Sequence, residues 1–248
     1  METFYLPSPL ALYGEIHSCS NPRGLIVFCH GLGEHFGRYT RLIEFFNNQG
    51  LICVGTDHFG HGKSQGKRGD APNYDIFLNE IDQVFSLASK KYPDLPLFLY
   101  GHSMGGNIVL NYLKHRNTSH ITAAIASSPW ITLPSEVPFL KQLLANIMNL
   151  VYPAFTAPNE LDPNGISHDQ DMVRQYVEDP LVHDRISVRL FKMMSEYGLA
   201  LLEAPEVIDL PVLLIHGTAD PMTSVHGSEN FANQNQQVEL VTFTDMYH

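Results

Sequence analysis

Short apolar runs, rich in β-branched residues, recur along the chain and are separated by segments with helical spacing. Six of these runs are bounded by Gly, Pro or Asp, and they cover residues 25–29, 51–56, 97–100, 123–126, 212–216 and 238–243. Continuous apolar character over such short lengths is typical of strands that are buried on both faces of a parallel sheet. A further run at residues 12–16 predicts an antiparallel edge strand.

Helical spacing follows each of the first three runs. The apolar positions that would share a helix face are Tyr39, Ile43 and Phe46; Phe77, Ile81, Val84 and Ala88; and Ile108, Tyr112 and His115. Gly50 is a stop signal for the first helix, and Lys90, Lys91 and Pro93 close the second. This alternation predicts an α/β architecture, in which right-handed crossovers place helices on both faces of a mostly parallel sheet.

The alternation is interrupted between the fourth and fifth of the six runs. Three helices are predicted there, with apolar faces at Phe139, Leu143, Ile147 and Val151; at Met172, Val173 and Tyr176; and at Leu190, Met194, Tyr197 and Leu201. A capping box from Ser167 to Gln170 predicts the start of the second helix, and the third is expected to end near Pro205. We therefore expect a helical insertion at residues 130–205 within a core formed by residues 1–129 and 206–248.

Composition and charge narrow the class of protein. The chain has 248 residues, of which 44% are apolar and 17% charged, so it can bury a large core and is not disordered. Its formal net charge of -11 repels phosphate backbones and argues against nucleic-acid binding. We see neither a secretory signal nor the roughly 18 apolar residues that would span a bilayer, and a cytoplasmic location is the default expectation.

The strongest chemical signal is the segment G-H-S-M-G at residues 101–105. It lies between a predicted strand and a predicted helix, which is the context of the G-x-S-x-G nucleophile elbow. The tight turn strains the serine backbone and leaves no room for a Cβ at either flanking position. Because the turn also exposes the hydroxyl at a helix N-terminus, Ser103 is the predicted nucleophile.

A serine hydroxyl needs a base to activate it and a carboxylate to orient that base. In the elbow fold the acid and then the histidine follow the serine along the chain, each after a late strand. Asp220 and His248 occupy these positions. Asp245 is the alternative acid and His226 the alternative base, and Asp220 could instead cap a helix or stabilise a turn.

The loop after the first parallel strand predicts an oxyanion hole. It reads H-G-L-G at residues 30–33, and the donors would be the backbone N–H groups of Leu32 and Met104. The alternative is an ordinary glycine-rich turn. His58 and His61 form an H-x-x-H pair, but no further ligand has zinc spacing, so we expect a structured loop and no metal.

These segments together resemble the monoacylglycerol lipases, in the lysophospholipase-like branch of the α/β-hydrolase superfamily. The matching segments are residues 101–106 (G-H-S-M-G-G), 30–35 (H-G-L-G-E-H), 57–62 (D-H-F-G-H-G), 179–183 (D-P-L-V-H) and 216–220 (H-G-T-A-D), together with Arg38 and Tyr39. The resemblance implies an α/β-hydrolase fold with a helical cap over the site, and a triad of Ser103, His248 and Asp220.

The same resemblance implies further features of the site. Leu32 and Met104 would form the oxyanion pair, and Glu34, Arg38 and His102 would line a polar pocket for a glycerol headgroup. No cofactor is implied. The family continues past its catalytic histidine, so we expect the native chain to extend beyond His248.

The sequence therefore predicts a serine ester hydrolase that cleaves monoacylglycerols or similar single-chain lipid esters through an acyl-enzyme. The alternatives are a carboxylesterase or lysophospholipase of other acyl specificity, a hydrolase of small amides, or a non-catalytic ligand-binding protein on the same fold. The apolar face of the helix at residues 139–151 is broad but only weakly flanked by basic residues, which predicts at most transient contact with a membrane surface. The sequence does not predict an oligomeric state.

Overall fold

A large twisted sheet forms the centre of the molecule. The computed structural model describes residues 1–7, 11–135, 137–203 and 208–248, and within these ranges eight strands form one sheet in the order β1-β2-β4-β3-β5-β6-β9-β10. Their bounds are β1 Glu2–Tyr5, β2 Tyr13–His17, β3 Gly24–Cys29, β4 Leu51–Thr56, β5 Leu97–His102, β6 Ile121–Ser127, β9 Val212–Gly217 and β10 Val238–Phe243. The six strands from β3 to β10 in this sheet pair in parallel, as predicted.

Helices cover the sheet and fill the insertion. Their bounds are α1 Thr40–Asn48, α2 Asp75–Lys91, α3 Met104–His115, α4 Phe139–Val151, α5 Gln170–Glu178, α6 Val188–Glu203 and α7 Val225–Gln234. The predicted helices that became α1, α2 and α3 are confirmed, and each connects two parallel strands. In the ranges that the structure describes, no helix is long and apolar enough to cross a membrane.

The strand predicted at residues 12–16 forms, but the prediction that it lies at an edge of the sheet is wrong. The strand that forms there, β2, is antiparallel as expected, but it lies between β1 and β4. The edge is β1, which has only four residues, most of them exposed, and so carries little apolar signal.

The continuous apolar runs are explained by burial on two faces. In β3, Leu25 and Val27 pack into a large cluster with α2 and α3, whereas Ile26 and Phe28 point into a smaller cluster that includes Ile43 of α1. Alternate residues of one strand therefore belong to different layers, because successive side chains leave opposite faces of the sheet. This arrangement fixes the carboxyl ends of the parallel strands at one rim, where the loops with candidate chemistry begin.

The insertion between β6 and β9 consists of two different parts. None of the residues of α4 is buried, whereas Leu190, Met194 and Leu201 of α6 belong to the main core cluster. A short antiparallel pair, β7 (Thr156–Pro158) and β8 (Arg185–Ser187), joins the two parts.

One predicted detail of the insertion helices is wrong, and another falls outside the described residues. The predicted capping box is displaced by two residues, because the side chain of Asp169 accepts the Asp171 N–H at 2.9 Å and caps α5, while Ser167 Oγ accepts the Asp169 N–H. The last helix, α6, ends at Glu203; Pro205, near which its end was predicted, lies outside the described residues. The predicted core and insertion boundaries at 130 and 205 remain a prediction.

Candidate active site

Ser103 occupies a sharp turn between β5 and α3. Its backbone has φ 55° and ψ -116°, a conformation that residues with a side chain rarely adopt. The turn is held because the Ser103 N–H donates to the Ser127 carbonyl at 2.9 Å, and the Ser103 carbonyl accepts the N–H of Trp130 at 3.0 Å. Strain that is held in place by these contacts is the property expected of a nucleophile elbow.

The glycines on either side of Ser103 are required by close backbone approach. A Cβ at Gly105 would lie 2.0 Å from the Cys29 carbonyl oxygen, and one at Gly101 would lie 2.2 Å from the Gly105 oxygen. No real Cβ tolerates such distances, so α3 can start this close to β3 only without side chains at these positions. This packing places the N-terminus of α3 beside the loop that follows β3.

His248 and Asp220 lie at the same rim of the sheet, in the loops after β10 and β9. His248 Nδ1 is 2.7 Å from Asp220 Oδ2, and the two side chains are 5% and 0% exposed. Ser103 and His248 line the same cavity, although no hydrogen bond joins them in the part of the chain that the structure describes. Catalytic hydrogen bonds are often long before a substrate binds, so this geometry suits a serine and its base in the free state.

Several donors converge on Asp220. Its Oδ1 accepts the N–H groups of Met222 at 2.8 Å and Thr223 at 3.0 Å, and Thr223 Oγ1 lies 3.0 Å from Oδ2. Burial would raise the pKa of the Asp220 carboxyl, but hydrogen bonds from His216 and His248 hold this pKa well below its usual range. Asp220 is therefore ionised at neutral pH and can orient an imidazole.

The structure brings neither of the alternative residues into this arrangement. Asp245 is exposed, its N–H donates to Thr218 Oγ1 at 2.9 Å, and its side chain has no hydrogen bond to His248 within the described ranges. The side chain of His226 is 81% exposed and pairs with Glu229 on the surface of α7. Asp220 and His248 are thus the acid and base candidates that the fold places together.

The loop after β3 lines the cavity with Leu32, and a buried histidine holds the peptide that precedes this residue. The His58 N–H donates to His30 Nε2 at 2.8 Å, so His30 carries its proton on Nδ1 and donates to the Gly31 carbonyl at 2.8 Å. The Gly31 carbonyl and the Leu32 N–H belong to the same peptide unit. Burial, together with His58 and His61, lowers the pKa of His30 far below its usual value, which keeps this donor neutral and the peptide oriented.

Met104 supplies the second predicted oxyanion donor. It is the first residue of α3, so its N–H has no acceptor within the helix. Leu32 and Ser103 both line the cavity, and Met104 directly follows the serine. The oxyanion hole formed by these two amides stays a prediction.

Glu34, Arg38 and His102 all line this cavity, which has a volume of about 280 Å³. Glu34 Oε2 accepts Arg38 Nε at 3.1 Å, and Oε1 accepts both the Tyr39 hydroxyl at 2.6 Å and the Gly31 N–H at 2.8 Å. Burial would raise the pKa of the Glu34 carboxyl, but His102, Arg38 and these donors hold it below its usual value. Glu34 is therefore charged, and its two oxygens already accept hydrogen bonds from three donors.

His102 is the neutral member of the polar pocket. Burial and the neighbouring His248 lower its pKa to about 4, and its Nδ1 lies 3.3 Å from Ser127 Oγ. The rings of His102 and His248 are 4.7 Å apart. A neutral imidazole here can donate to or accept from an alcohol without adding charge beside the base.

The insertion contributes both apolar lining and two attachments to the site. Leu161, Ile166, Met172 and Tyr176 line the cavity from the insertion side. The His183 N–H donates to the Gly33 carbonyl at 2.8 Å, which attaches the insertion to the oxyanion loop.

A second attachment joins the insertion to the histidine loop. The His168 ring stacks on Tyr247 with centroids 3.7 Å apart, and His168 Nε2 donates to the Asp245 carbonyl at 2.7 Å. The His248 N–H donates to the Gly165 carbonyl at 3.3 Å. The sequence had indicated the helices but none of these contacts.

The H-x-x-H pair lies in a buried loop. His58 Nδ1 is 2.9 Å from Glu80 Oε1, and His61 Nδ1 donates to the Phe59 carbonyl at 3.0 Å. Among the residues with described positions, no group of three or more His, Cys, Asp or Glu side chains is arranged to hold a metal ion. The loop packs beside the oxyanion peptide instead.

The contacts of three residues with the site were not predicted from the sequence: those of His216, Thr223 and Tyr176. His216 and Thr223 contact Asp220, and Tyr176 lies with its ring centroid 4.7 Å from the Arg38 guanidinium. Only His216 carried a local signal, since it lies four residues before Asp220 in the H-G-T-A-D segment.

Comparison with known proteins places the chain among hydrolases. A family model described as serine aminopeptidase, S33 (Hydrolase_4) matches residues 20–248. The chain is 34% identical over 230 residues to an uncharacterised abhydrolase domain-containing protein of Dictyostelium discoideum, a match covering 92% of this chain and 24% of that protein. It is 32% identical over 238 residues to the monoglyceride lipase of Rattus norvegicus, covering 92% and 76% of the two chains.

A solved structure extends the likeness to three dimensions. The crystal structure of Paleococcus ferrophilus monoacylglycerol lipase superimposes with a TM-score of 0.83 and 36% identity, over 96% of this chain and 90% of that one. The predicted fold class is therefore confirmed.

Proposed function

The chain belongs to the serine aminopeptidase S33 family of hydrolases, and from this premise we propose that it is a serine ester hydrolase that cleaves monoacylglycerols to fatty acid and glycerol. The observation that carries the proposal is the arrangement at one rim of the sheet. A strained Ser103 lines the same cavity as His248, whose imidazole lies 2.7 Å from the buried Asp220 carboxylate. The names of the rat and Paleococcus ferrophilus relatives support the choice of ester.

In the proposed reaction Ser103 Oγ attacks the ester carbonyl while His248 Nε2 takes the hydroxyl proton. Asp220 holds the imidazole in the required tautomer and stabilises the imidazolium that forms. The N–H groups of Leu32 and Met104 bind the oxyanion, and such a donor typically contributes about 2.7–4 kcal/mol. His248 then protonates the departing glycerol. A water activated by the same imidazole releases the fatty acid.

The headgroup side of the cavity supports a neutral alcohol more than an amine. An amino group would need a carboxylate with free acceptor capacity, but Glu34 is already neutralised by Arg38 and accepts from Tyr39 and Gly31. Glycerol hydroxyls, in contrast, can accept from Arg38 and exchange hydrogen bonds with the neutral His102. We therefore propose ester hydrolysis and not aminopeptidase activity, despite the family description.

The size of the cavity favours one specific second candidate. A volume of about 280 Å³ is small beside the roughly 300–1,000 Å³ of typical ligand pockets. A headgroup and a short acyl chain would fill it, which supports a short-chain carboxylesterase. For a long-chain substrate, we propose that the acyl chain leaves the cavity along the apolar side chains of the insertion, past Leu161, Ile166 and Met172.

We propose that α4 and its neighbours form part of a cap that contacts lipid surfaces. Its exposed large apolar residues are Phe139, Leu140, Leu143, Leu144, Ile147, Leu150 and Val151. An amphipathic helix with an unburied apolar face gains free energy at the boundary between headgroups and acyl chains. Peripheral contact at this face would bring the cavity to a substrate that is held in a membrane or micelle.

The test combines covalent labelling with a substrate series. A fluorophosphonate should label the wild-type protein and the Ser167→Ala variant, whose serine lines the same cavity, but not Ser103→Ala. Across glycerol esters from butanoyl to octadecanoyl, kcat/KM should favour long chains. Wild-type protein that is not labelled would refute the serine hydrolase proposal, and a steep preference for butanoyl would favour the carboxylesterase.

A further inference from the structure

Asp220 is contacted by a second imidazole, which is fully buried and does not line the cavity that contains Ser103. His216 lies near the end of β9 with its side chain 0% exposed, and its Nε2 is 3.2 Å from Asp220 Oδ2. The same Nε2 is 3.3 Å from the Thr223 carbonyl oxygen. On the opposite side of the ring, Nδ1 is 2.8 Å from Ser228 Oγ of α7.

These contacts determine which ring nitrogen of His216 carries the proton. A carboxylate and a carbonyl oxygen can only accept, so the Nε2 that faces both must be the donor. In the neutral ring Nδ1 is then an acceptor, and it takes the hydroxyl hydrogen of Ser228. The Ser228 hydroxyl thus fixes the tautomer that directs an N–H at Asp220.

Thr223 cannot substitute for this donor. Its hydroxyl has one hydrogen but two acceptors, the Ser128 carbonyl at 3.1 Å and Asp220 Oδ2 at 3.0 Å. Among the described residues, His216 and His248 are therefore the two ring N–H donors to Oδ2. Without the His216 donor, Oδ2 would keep fewer partners for its buried charge, which makes the ionised, correctly oriented carboxylate more costly.

We infer that His216 is a positioning residue for the proposed reaction: through its Nε2–H it keeps Asp220 ionised and aimed at His248 Nδ1. The inference rests on the proposed function, because it concerns the acid of the same triad. The charge of Asp220 is needed most when His248 becomes an imidazolium, which happens in the transition state. Loss of His216 should therefore lower kcat and leave KM nearly unchanged.

The test uses a pair of side chains of matched length. His216→Met removes the donor, and His216→Gln restores an amide N–H at about the same reach. With a monoacylglycerol substrate, His216→Met should lose about 10- to 100-fold in kcat with KM within about twofold of wild type, and fluorophosphonate labelling should slow in parallel. His216→Gln should recover most of this loss, and Ser228→Ala, which removes only the tautomer contact, should lose less than His216→Met.

Stability is measured alongside activity, because a structural role would affect both glutamine and methionine variants alike. The inference is overturned if the two variants have equal kcat at equal folded fraction, or if the loss lies in KM. If His216→Met does not fold, His216→Asn replaces it, because its shorter side chain does not bring an amide N–H to Asp220: a lower kcat in His216→Asn than in His216→Gln supports the inference, and equal kcat at equal folded fraction overturns it. Wild-type protein that neither reacts nor is labelled overturns the proposed function itself, and the inference with it.

Discussion

One carboxylate, that of Glu34, connects the two sides of the cavity. Its Oε1 accepts the Gly31 N–H behind the oxyanion loop, and its Oε2 accepts Arg38 on the headgroup side. The Arg38 guanidinium is only 13% exposed and lies over the Tyr176 ring. Its direction is therefore set before a substrate arrives, which lowers the entropy lost on binding.

Replacing this guanidinium should weaken binding of the glycerol part of the substrate selectively. We expect Arg38→Met to raise KM for a monoacylglycerol by about tenfold or more, because a hydrogen bond from a charged donor contributes about 1.5–3 kcal/mol. The methyl ester of the same fatty acid should change by less than about twofold. Steady-state kinetics on both esters measures the difference.

The matched control for this prediction is Arg41→Met, three residues along the chain and exposed on α1. It should alter neither KM. Equal increases in KM for the glycerol and methyl esters would contradict a headgroup role for Arg38 and indicate general damage to the cavity.

The site residues that could be predicted lie in local sequence motifs, whereas the residues that were not predicted are brought to the site by tertiary contacts. Ser103, Asp220 and His248 each follow a strand at a fixed place in the motif order, so local patterns were enough to predict three residues that the structure places at one rim of the sheet. Tyr176 contacts Arg38, and the Thr223 hydroxyl donates to the Ser128 carbonyl, and both contacts join segments far apart in the chain. No spacing in one sequence encodes such contacts, because they depend on how the loops and the insertion fold over the rim.

At the scale of elements, α4 shows which features of a helix its apolar periodicity can predict and which it cannot. Its spacing predicted the helix Phe139–Val151 at its observed bounds, but not which face would be buried, and none of its residues is. The helix α6 packs against α3 and contributes Leu190, Met194 and Leu201 to the main core cluster, whereas α4 contacts α6 and contributes none of its residues to that cluster. The apolar residues of α4 therefore remain available to another apolar phase.

Charges on the exposed apolar face of α4 should weaken vesicle binding. We expect Leu140→Asp combined with Leu144→Asp to weaken binding to phosphatidylcholine vesicles by about tenfold or more, because two apolar side chains would no longer be buried. Hydrolysis of a short water-soluble ester should stay unchanged. Sedimentation with vesicles measures the binding.

The control places the same charges elsewhere, at Val177→Asp and Leu199→Asp, which are 62% and 50% exposed in α5 and α6. That double variant should bind vesicles like the wild type. If both pairs weaken binding equally, contact is not directed by α4.

The elements missing from the sequence analysis share a physical reason. The helix α7 buries only Gly227, Ser228 and Phe231, so it lacks the apolar repeat that reveals a helix. The strands β7 and β8 have three residues each, too few for alternation to be visible. The central strands and α1 to α3 were predictable because burial on a sheet imposes a long, uninterrupted apolar pattern.

At the scale of the whole molecule, neutral histidines in the interior set the acid limit of stability. Burial and neighbouring imidazoles lower the pKa values of His30 and His61 far below the usual value. Burial and the neighbouring His248 lower the pKa of His102 to about 4. In the unfolded chain these imidazoles bind protons near pH 6.5. Below that pH the unfolded state therefore holds more protons than the folded state, and stability falls as the pH falls.

The free energy of unfolding should accordingly decrease between pH 7.5 and pH 5.5 by about 1 kcal/mol for each buried neutral histidine. Carboxylates with lowered pKa values, such as Asp220 and Glu34, also contribute stability, and this contribution is lost only as the pH falls towards 4. Urea titrations at several pH values measure the change. A free energy that stays constant down to pH 5 would contradict this explanation.

The attachments of the insertion have a consequence for ligands that are too large. Its backbone is tied to the oxyanion loop through His183 and Gly33, and its His168 ring rests on Tyr247 next to the base. A bulky ester that wedges the insertion outward would pull on both loops at once. Such a molecule would occupy the cavity but be hydrolysed slowly. Esters that are too large would therefore act as inhibitors of this protein, in addition to being poor substrates.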